Sequence, residues 1–162
     1  MMKQNRKSSI GALVILLVIS FIPALLGSMF RPDAWYESLI KPALNPPGWI
    51  FGPVWTFLYI TMGIAAWLVW LRRHNVRIQF ALTLFFIQLF FNGLWTFLFF
   101  GLRRPELAFV DILILWLAIA CTLMAFWQKS RTAGRFLIPY LSWVSFAVYL
   151  NFELWQLNMV KP

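Results

Sequence analysis

The sequence predicts an all-α integral membrane protein, a single domain over residues 1–162 built as a bundle of five transmembrane helices. Of the 162 residues, 62% are apolar and 12% are charged, whereas a soluble domain averages about 45–50% apolar and about 25% charged residues. Apolar runs long enough to cross a bilayer, roughly 20 residues each, occur five times along the chain. This composition excludes a soluble enzyme, a separate catalytic domain outside the membrane and a disordered regulator.

The first span is predicted at residues 10–30. A cleaved signal peptide is the alternative, because basic residues precede this run. The run is longer than the usual apolar core of a signal peptide and lacks an A-x-A cleavage site, which favours a true span. Pro23 is expected to kink the helix, and packed neighbours tolerate such a kink within lipid.

The connection over residues 31–48 is the longest of the predicted loops. Its prolines stiffen the backbone, and its aromatic residues suit the membrane interface. These residues are Trp35, Tyr36, Pro42, Pro46 and Pro47.

The remaining spans are predicted at residues 49–71, 80–100, 106–127 and 136–157. Pro105 stands directly before Glu106, which favours a helix start, because proline tolerates the first helical position and an acidic side chain complements the helix dipole there. Pro139 is expected in the first turn of the fifth span.

The net charge of +9 is concentrated in clusters between the spans. Nine of the 14 basic residues precede the first span, follow the second or precede the fifth. These positions lie on one side of the membrane in a five-span chain, so the positive-inside rule predicts a cytoplasmic N-terminus. The same placement argues against nucleic acid as a partner. The clustered residues are Lys3, Arg6, Lys7, Arg72, Arg73, Arg77, Lys129, Arg131 and Arg135.

Conventional catalytic and metal-binding patterns are absent from the sequence. Cys121 is the single cysteine and His74 the single histidine, and no cluster has metal-ligand spacing. There is no nucleophile–base pair and no Gly-rich phosphate loop. The sequence therefore predicts no metal site, no cofactor and no conventional hydrolase.

Polar and aromatic side chains share one face on each of three predicted helices. One explanation is interhelical hydrogen bonding, at about 0.6–2 kcal/mol per bond, and it is favoured for any single residue. For the whole set we favour a cavity for a large planar ligand, because Trp and Tyr combine flat apolar faces with one donor. The residues are Trp55, Tyr59, Met62, Gln88, Asn92, Trp95, Thr96, Phe99, Tyr140, Trp143, Ala147, Asn151, Trp155 and Asn158.

Two acidic residues, Asp111 and Glu153, fall inside predicted spans. An acid within a membrane is a functional-site candidate, but both lie close enough to an interface for structural pairing. We expect Asp111 to pair with Arg103 or Arg104 of the neighbouring loop.

A set of motifs lies in order along the chain from Trp35 to Asn158. The motifs are Trp35-Tyr36, Lys41-Pro42, Pro46-Pro47-Gly48-Trp49, Phe51-Gly52-Pro53-Val54-Trp55, Leu58-Tyr59, Met62-Gly63, Gln88-Leu89, Asn92, Trp95, Phe99-Phe100, Val110-Asp111, Pro139-Tyr140-Leu141, Trp143, Phe146-Ala147, Leu150-Asn151, Trp155 and Asn158. Together they resemble the translocator protein family, also called tryptophan-rich sensory proteins or peripheral-type benzodiazepine receptors.

The resemblance implies a five-helix bundle, often dimeric, whose pocket opens toward a covering loop over residues 31–48. Members of the family bind porphyrins and other tetrapyrroles, and synthetic isoquinoline carboxamide and benzodiazepine ligands. We therefore expect a homodimer in a bacterial cell membrane, in contact with lipid, that binds a porphyrin or another tetrapyrrole. Carried over position by position, the expected pocket residues are Tyr36, Pro46, Trp49, Phe51, Trp55, Asn92, Trp95, Thr96, Trp143, Ala147 and Leu150.

The sequence departs from the family at the cholesterol motif of its animal members. That motif needs a Tyr followed by a basic residue at the end of the fifth helix, and the two positions are Phe152 and Gln156 here. The departure argues against high-affinity cholesterol binding and is typical of a bacterial member.

Three functions fit this resemblance. The first is a receptor or transporter-like protein that binds tetrapyrroles in the Trp-lined cavity, with a role in tetrapyrrole or stress regulation; Arg31 and Lys41 would attract porphyrin carboxylates. The alternative is a light-dependent porphyrin-degrading enzyme in which Trp55 and Trp143 exchange electrons with the excited porphyrin. The third is a scaffold that needs no turnover. Directional transport has the least support, since the sequence shows no inverted repeats.

Overall fold

The computed structural model describes residues 6–30 and 32–159. Most of these residues are helical, and none of them lies in a strand. Five stretches of this part are long and apolar enough to cross a membrane. The predicted all-α bundle of five transmembrane helices is therefore confirmed, and the chain is an integral membrane protein. The spans are Ser8–Ser28, Gly48–Trp70, Gln79–Gly101, Pro105–Lys129 and Arg131–Asn158.

Seven α-helices and one π-helical turn make up the described residues. They are α1 (Arg6–Ser20), α2 (Ile22–Ser28), α3 (Ala34–Ser38), α4 (Gly48–Trp70), α5 (Gln79–Thr96), the π-helical turn (Phe97–Gly101), α6 (Pro105–Lys129) and α7 (Arg131–Asn158). Of the basic residues invoked above, Lys3, Arg31 and the side chains of Arg6 and Lys7 lie outside the described part.

The first span is broken into two helices at Phe21, two residues before the expected kink. Proline has no N–H to donate, so it fits the first turn of a helix better than the interior. Pro23 accordingly lies in the first turn of α2. The buried Ser20 hydroxyl, at the end of α1, donates back to the Leu16 carbonyl at 2.7 Å.

The connection before α4 contains one short helix. Asp33 caps α3 by accepting hydrogen bonds from the backbone amides of Trp35 at 3.1 Å and Tyr36 at 3.3 Å. Aspartate is a preferred N-cap because its short side chain reaches these unsatisfied amides. We call residues 32–47 the roof segment, since Pro32, Tyr36 and Asn45 line one end of the cavity described below.

The fifth span begins at Arg131, five residues earlier than the predicted start at residue 136. Ser130 caps α7 by accepting from the Ala133 amide at 3.3 Å, so the polar residues that follow join the helix. Pro139 therefore lies in the interior of α7, and its expected place in the first turn is wrong.

The core sits where the long helices meet. Helix α7 packs against α6 and α4, α6 packs against α5, α4 packs against α1, and α2 packs against α5. Most buried side chains are apolar, and the largest fully buried ones include Tyr140, Phe85 and Phe126. The buried polar side chains are Ser20, Thr61, Gln88, Asn92, Asp111, Thr122 and Asn151.

Candidate functional site

A cavity of about 540 Å³ lies inside the bundle, beneath the roof segment. Side chains from α2, α4, α5, α6 and α7 line it. Nine of the eleven predicted pocket residues are brought together there. They are Tyr36, Phe51, Trp55, Asn92, Trp95, Thr96, Trp143, Ala147 and Leu150.

The other two predicted residues, Pro46 and Trp49, do not line the cavity. Trp49 is 75% exposed, because it lies about 200° around α4 from Phe51 and faces outward. An outward Trp in the first turn of a span suits the membrane interface. In the roof segment, the neighbour Asn45 lines the cavity instead of Pro46.

Aromatic rings line the cavity in two clusters. In the first, Trp55 stacks on Tyr59 at 5.4 Å between ring centroids, and Phe51 meets Trp143 edge-on at 5.9 Å. In the second, Trp95 stacks on Phe99 at 5.0 Å, and Tyr36 of the roof segment meets Phe99 and Phe100 edge-on. Such a lining offers flat apolar surfaces to a planar ligand.

The polar stripes of three helices form a buried hydrogen-bond network beside the cavity. The Tyr59 hydroxyl donates to Asn92 Oδ1 at 2.9 Å, Asn92 Nδ2 donates to the Tyr140 hydroxyl at 3.1 Å, and that hydroxyl donates to Gln88 Oε1 at 2.9 Å. These groups satisfy one another across α4, α5 and α7. For them the interhelical explanation is the correct one, even though Asn92 and Tyr59 also line the cavity.

Trp95 also takes part in hydrogen bonds between helices. Its Nε1 donates to Asn151 Oδ1 at 2.9 Å, and Asn151 Nδ2 donates to the Pro105 carbonyl at 2.9 Å. The indole N–H of Trp95 is thus used to join α5 to α7 and to the start of α6. Only the ring of Trp95 is left to contact a ligand.

Trp143 differs from Trp95 in this respect. Its side chain lines the cavity, and its Nε1 is buried without a hydrogen-bond partner in the described part of the chain. A buried donor left unpaired costs about 1–3 kcal/mol. An acceptor on a ligand would remove that cost.

The expected pairing of Asp111 with a loop arginine is wrong. Arg103 instead forms an ion pair with Asp33 at 2.6 Å, and Arg104 pairs with Glu106. Asp111 is 4% exposed, and neither carboxylate oxygen has a hydrogen-bond partner among the described residues. It does not line the cavity, and Glu153 is half-buried near the end of α7.

The roof segment is held to the bundle by polar contacts at two points. Asn158 bonds the backbone of Ile40, and Asp33 pairs with Arg103. Within the segment, Lys41 Nζ donates to the Tyr36 carbonyl. Lys41 Nζ also lies 4.1 Å from the centroid of the Tyr36 ring. Lys41, which was expected to attract ligand carboxylates, is therefore already engaged within the roof segment.

Two titratable groups of the roof segment are shifted. The Tyr36 amide, which donates to the Asp33 carboxylate, together with the Arg103 guanidinium, lowers the pKa of Asp33 below its ordinary value. Burial of the phenol raises the pKa of Tyr36, which keeps it neutral at physiological pH. Of these two shifted groups, Asp33 is the one whose charge changes in acid.

Trp155 lies outside the cavity, although its position on the α7 stripe predicted otherwise. It packs on Phe109 and Phe152 at ring distances of 5.6 and 6.3 Å. The sequence reasoning also missed the α2 and α6 sides of the cavity. The available signal on α2 was the pair of small residues Ala24 and Gly27, which lie three positions apart on one face of the helix and leave room beside it. The missed residues are Phe21, Pro23, Ala24, Gly27, Ile112 and Leu115.

The fold and the cavity define a class of protein: a five-span membrane protein with an aromatic cavity inside the bundle and a short helical segment over one end. Residues 12–156 match the TspO/MBR family. The chain belongs to that family, and the resemblance seen in the sequence is confirmed.

Three relatives illustrate the breadth of the similarity. The chain is 46% identical over 139 residues to the tryptophan-rich protein TspO of Chlorobaculum tepidum, which covers 82% of this chain and 86% of that protein. It is 41% identical over 140 residues to the tryptophan-rich sensory protein of Cereibacter sphaeroides, and the match covers 86% of this chain and 87% of that protein. It is 41% identical over 126 residues to the translocator protein of Homo sapiens, covering 76% and 75%.

Proposed function

We propose that the chain is a receptor or transporter-like membrane protein that binds porphyrins or other tetrapyrroles in the cavity, with a role in tetrapyrrole or stress regulation. Benzodiazepine and isoquinoline ligands are expected to occupy the same cavity. The observation that carries the proposal is a cavity of about 540 Å³ lined by three indoles, one of which has a buried N–H with no hydrogen-bond partner among the described residues. Small-molecule sites have volumes of about 300–1,000 Å³.

The lining explains how a planar macrocycle would be held. The rings of Phe51, Trp55 and Trp95 would provide apolar stacking surface. A small rotation of the Trp143 ring would bring its buried Nε1–H to an acceptor on the ligand. Most other polar groups nearby satisfy one another, so specificity depends strongly on Trp143.

Titration of the protein with protoporphyrin IX, followed by quenching of the intrinsic Trp fluorescence, tests this function. Trp143→Phe removes a donor but keeps an aromatic ring, so the affinity should fall about twofold to tenfold, since a hydrogen bond contributes about 0.5–1.5 kcal/mol. Ala147→Phe fills the cavity and should abolish binding.

The matched control is Trp155→Phe, because Trp155 packs on Phe109 and Phe152 outside the cavity. Its affinity for protoporphyrin IX should equal that of the wild type. If the porphyrin left the fluorescence unquenched, or if Ala147→Phe bound it normally, the cavity would not be the binding site.

A light-dependent porphyrin-degrading activity is the second candidate function. It is favoured by the placement of Trp55 and Trp143 on the same cavity, with Trp55 stacked on Tyr59. An indole would donate an electron to the excited porphyrin, and dioxygen would take that electron to give superoxide. The indole radical cation would regain an electron from the macrocycle, and the resulting porphyrin radical cation would combine with superoxide, so that the net change is the addition of dioxygen to the porphyrin. Illumination of bound porphyrin in wild type, Trp55→Phe and Trp143→Phe separates the functions, because equal bleaching in all three would indicate photochemistry without catalysis.

The orientation proposed is an N-terminus in the cytoplasm. The basic clusters after α4 and around the junction of α6 and α7 support it, through the positive-inside rule. In a Cys121→Ser background, Arg77→Cys should react with an impermeant maleimide only after permeabilisation, whereas Glu37→Cys of the roof segment should react in intact cells. The reverse pattern would invert the topology.

The resemblance also supports a homodimer in a bacterial cell membrane. Light scattering of the purified protein in detergent should give twice the 19.0 kDa mass of the chain after subtraction of the detergent. A monomeric mass would contradict the homodimer.

A further inference from the structure

The cavity has a side opening between α2 and the first half of α4. Gly48, Gly52 and Thr56 line the cavity, lie one turn apart on the same face of α4, and are all exposed. A Cβ atom built on Gly48 or Gly52 meets no heavy atom within 4 Å. By contrast, a Cβ on Gly27 of α2 would lie 3.5 Å from Thr96. The space beside α4 is therefore open, whereas the space between α2 and α5 is filled.

The break in the first span explains this opening. Phe21 at the break meets Tyr59 of α4 at a ring distance of 5.4 Å. Beyond that contact, α2 packs against α5. The opening, which we call the lateral window, extends along α4 from Gly48 toward the Phe21–Tyr59 contact, a length of about 16 Å at 1.5 Å per residue.

The edges of the lateral window are apolar. Neither α2 nor α4 contains a charged residue. The Thr56 hydroxyl, the polar side-chain group on the α4 edge, donates to the Gly52 carbonyl at 2.9 Å. Outward-facing residues of the same helix, Phe57 and Ile60, are 54% and 41% exposed and suit contact with hydrocarbon.

The roof end of the cavity has the opposite character. Charged side chains surround it, and the contacts of Asn158 with Ile40 and of Asp33 with Arg103 hold the roof segment against the bundle. A ligand that enters there would have to release these contacts. An apolar planar ligand partitions into the bilayer. From there it could enter through the lateral window without release of the roof contacts.

We propose that the lateral window between α2 and α4 is the route by which apolar planar ligands pass between the bilayer and the cavity. This inference rests on the proposed function, since the path leads to the cavity that we propose as the binding site. The ligand then partitions into the membrane before it binds, and the rate of binding depends on the concentration of ligand in the lipid.

The test uses the dimethyl ester of protoporphyrin IX, which has no ionised carboxylate, and measures its rates of binding in liposomes by stopped-flow Trp quenching. The series Gly52→Ala, Gly52→Leu and Gly52→Phe narrows the lateral window stepwise without a steric clash at Cβ. Both the association and the dissociation rate constants should fall with side-chain size, by about tenfold for Gly52→Phe. A side chain that only crowded the bound ligand would raise the dissociation rate constant instead, and that result would overturn the proposal.

Two further variants complete the design. Gly11→Phe is the matched control, because Gly11 is exposed, has no heavy atom within 4 Å of its Cβ position and lies near the other end of the first span. Its rates should equal those of the wild type. Asn158→Ala loosens the roof segment and should leave the association rate constant unchanged, whereas faster association would establish entry at the roof and overturn the lateral window.

The two proposals fail in different ways. If wild-type protein showed no quenching at equilibrium, the proposed function would be lost, and the lateral window with it. If binding were normal at equilibrium and the Gly52 series had no effect on either rate constant, only the lateral window would be refuted.

Discussion

Asn158, in the last turn of α7, holds the backbone of Ile40 by both of its polar groups. Its Oδ1 accepts from the Ile40 amide at 3.0 Å, and its Nδ2 donates to the Ile40 carbonyl at 3.0 Å. The residues are 118 positions apart in sequence. A carboxamide is suited to this contact because it presents one acceptor and two donors in one plane, and the second donor bond goes to the Leu154 carbonyl at 2.8 Å.

Asn158→Ala should release the middle of the roof segment. Two hydrogen bonds of about 0.5–1.5 kcal/mol each are lost, so the free energy of local opening should fall by about 1–3 kcal/mol. Hydrogen exchange of the Ile40 amide should then accelerate by about one to two orders of magnitude. Gln156→Ala, an exposed change in the same turn, should not alter this exchange.

Acid should loosen the start of the roof segment through Asp33. The folded-state pKa of Asp33 is below its ordinary value, so the ionised group stabilises the cap of α3 at neutral pH, and this stabilisation is lost as the pH falls through the folded-state pKa. Hydrogen exchange at the Trp35 and Tyr36 amides, corrected for intrinsic rates, should therefore increase below about pH 4. Asp33→Asn should remove the pH dependence; an unchanged acid response in that variant would assign the transition to another group.

Tyr140→Phe should destabilise the bundle. Removal of this hydroxyl leaves Gln88 Oε1 and Asn92 Nδ2 without their present partners, at about 1–3 kcal/mol for each unsatisfied buried group. The midpoint of thermal unfolding in detergent should fall. Tyr149→Phe is the control, since Tyr149 is 39% exposed. If the two variants had the same thermal midpoint, the network would make no specific contribution to stability.

Gly134→Ala should destabilise the junction of α6 and α7. A Cβ at this position would lie 3.0 Å from the Cα atom of Trp127 and 2.6 Å from its ring. The backbone would have to shift, and such overpacking costs about 1–3 kcal/mol. Gly11→Ala has open space for its Cβ and better helix propensity, so its thermal midpoint should equal or exceed that of the wild type.

The number and approximate ends of the membrane spans follow from the sequence, because each depends on local hydropathy. The family also follows from the sequence, since its motifs stand in order along the chain. Periodicity likewise places Trp55, Asn92 and Trp143 on inward faces of their helices, because the turn of a helix fixes the angular position of each residue.

What only the tertiary structure decides is the partner of each inward group. Asn92 and Trp95 use their polar atoms in bonds between helices, Trp143 keeps a free donor, and Trp155 packs outside the cavity. Neither these outcomes nor the pairing of Arg103 with Asp33 and of Arg104 with Glu106 can be read from one helix, because they depend on how neighbouring helices are rotated, tilted and broken against one another.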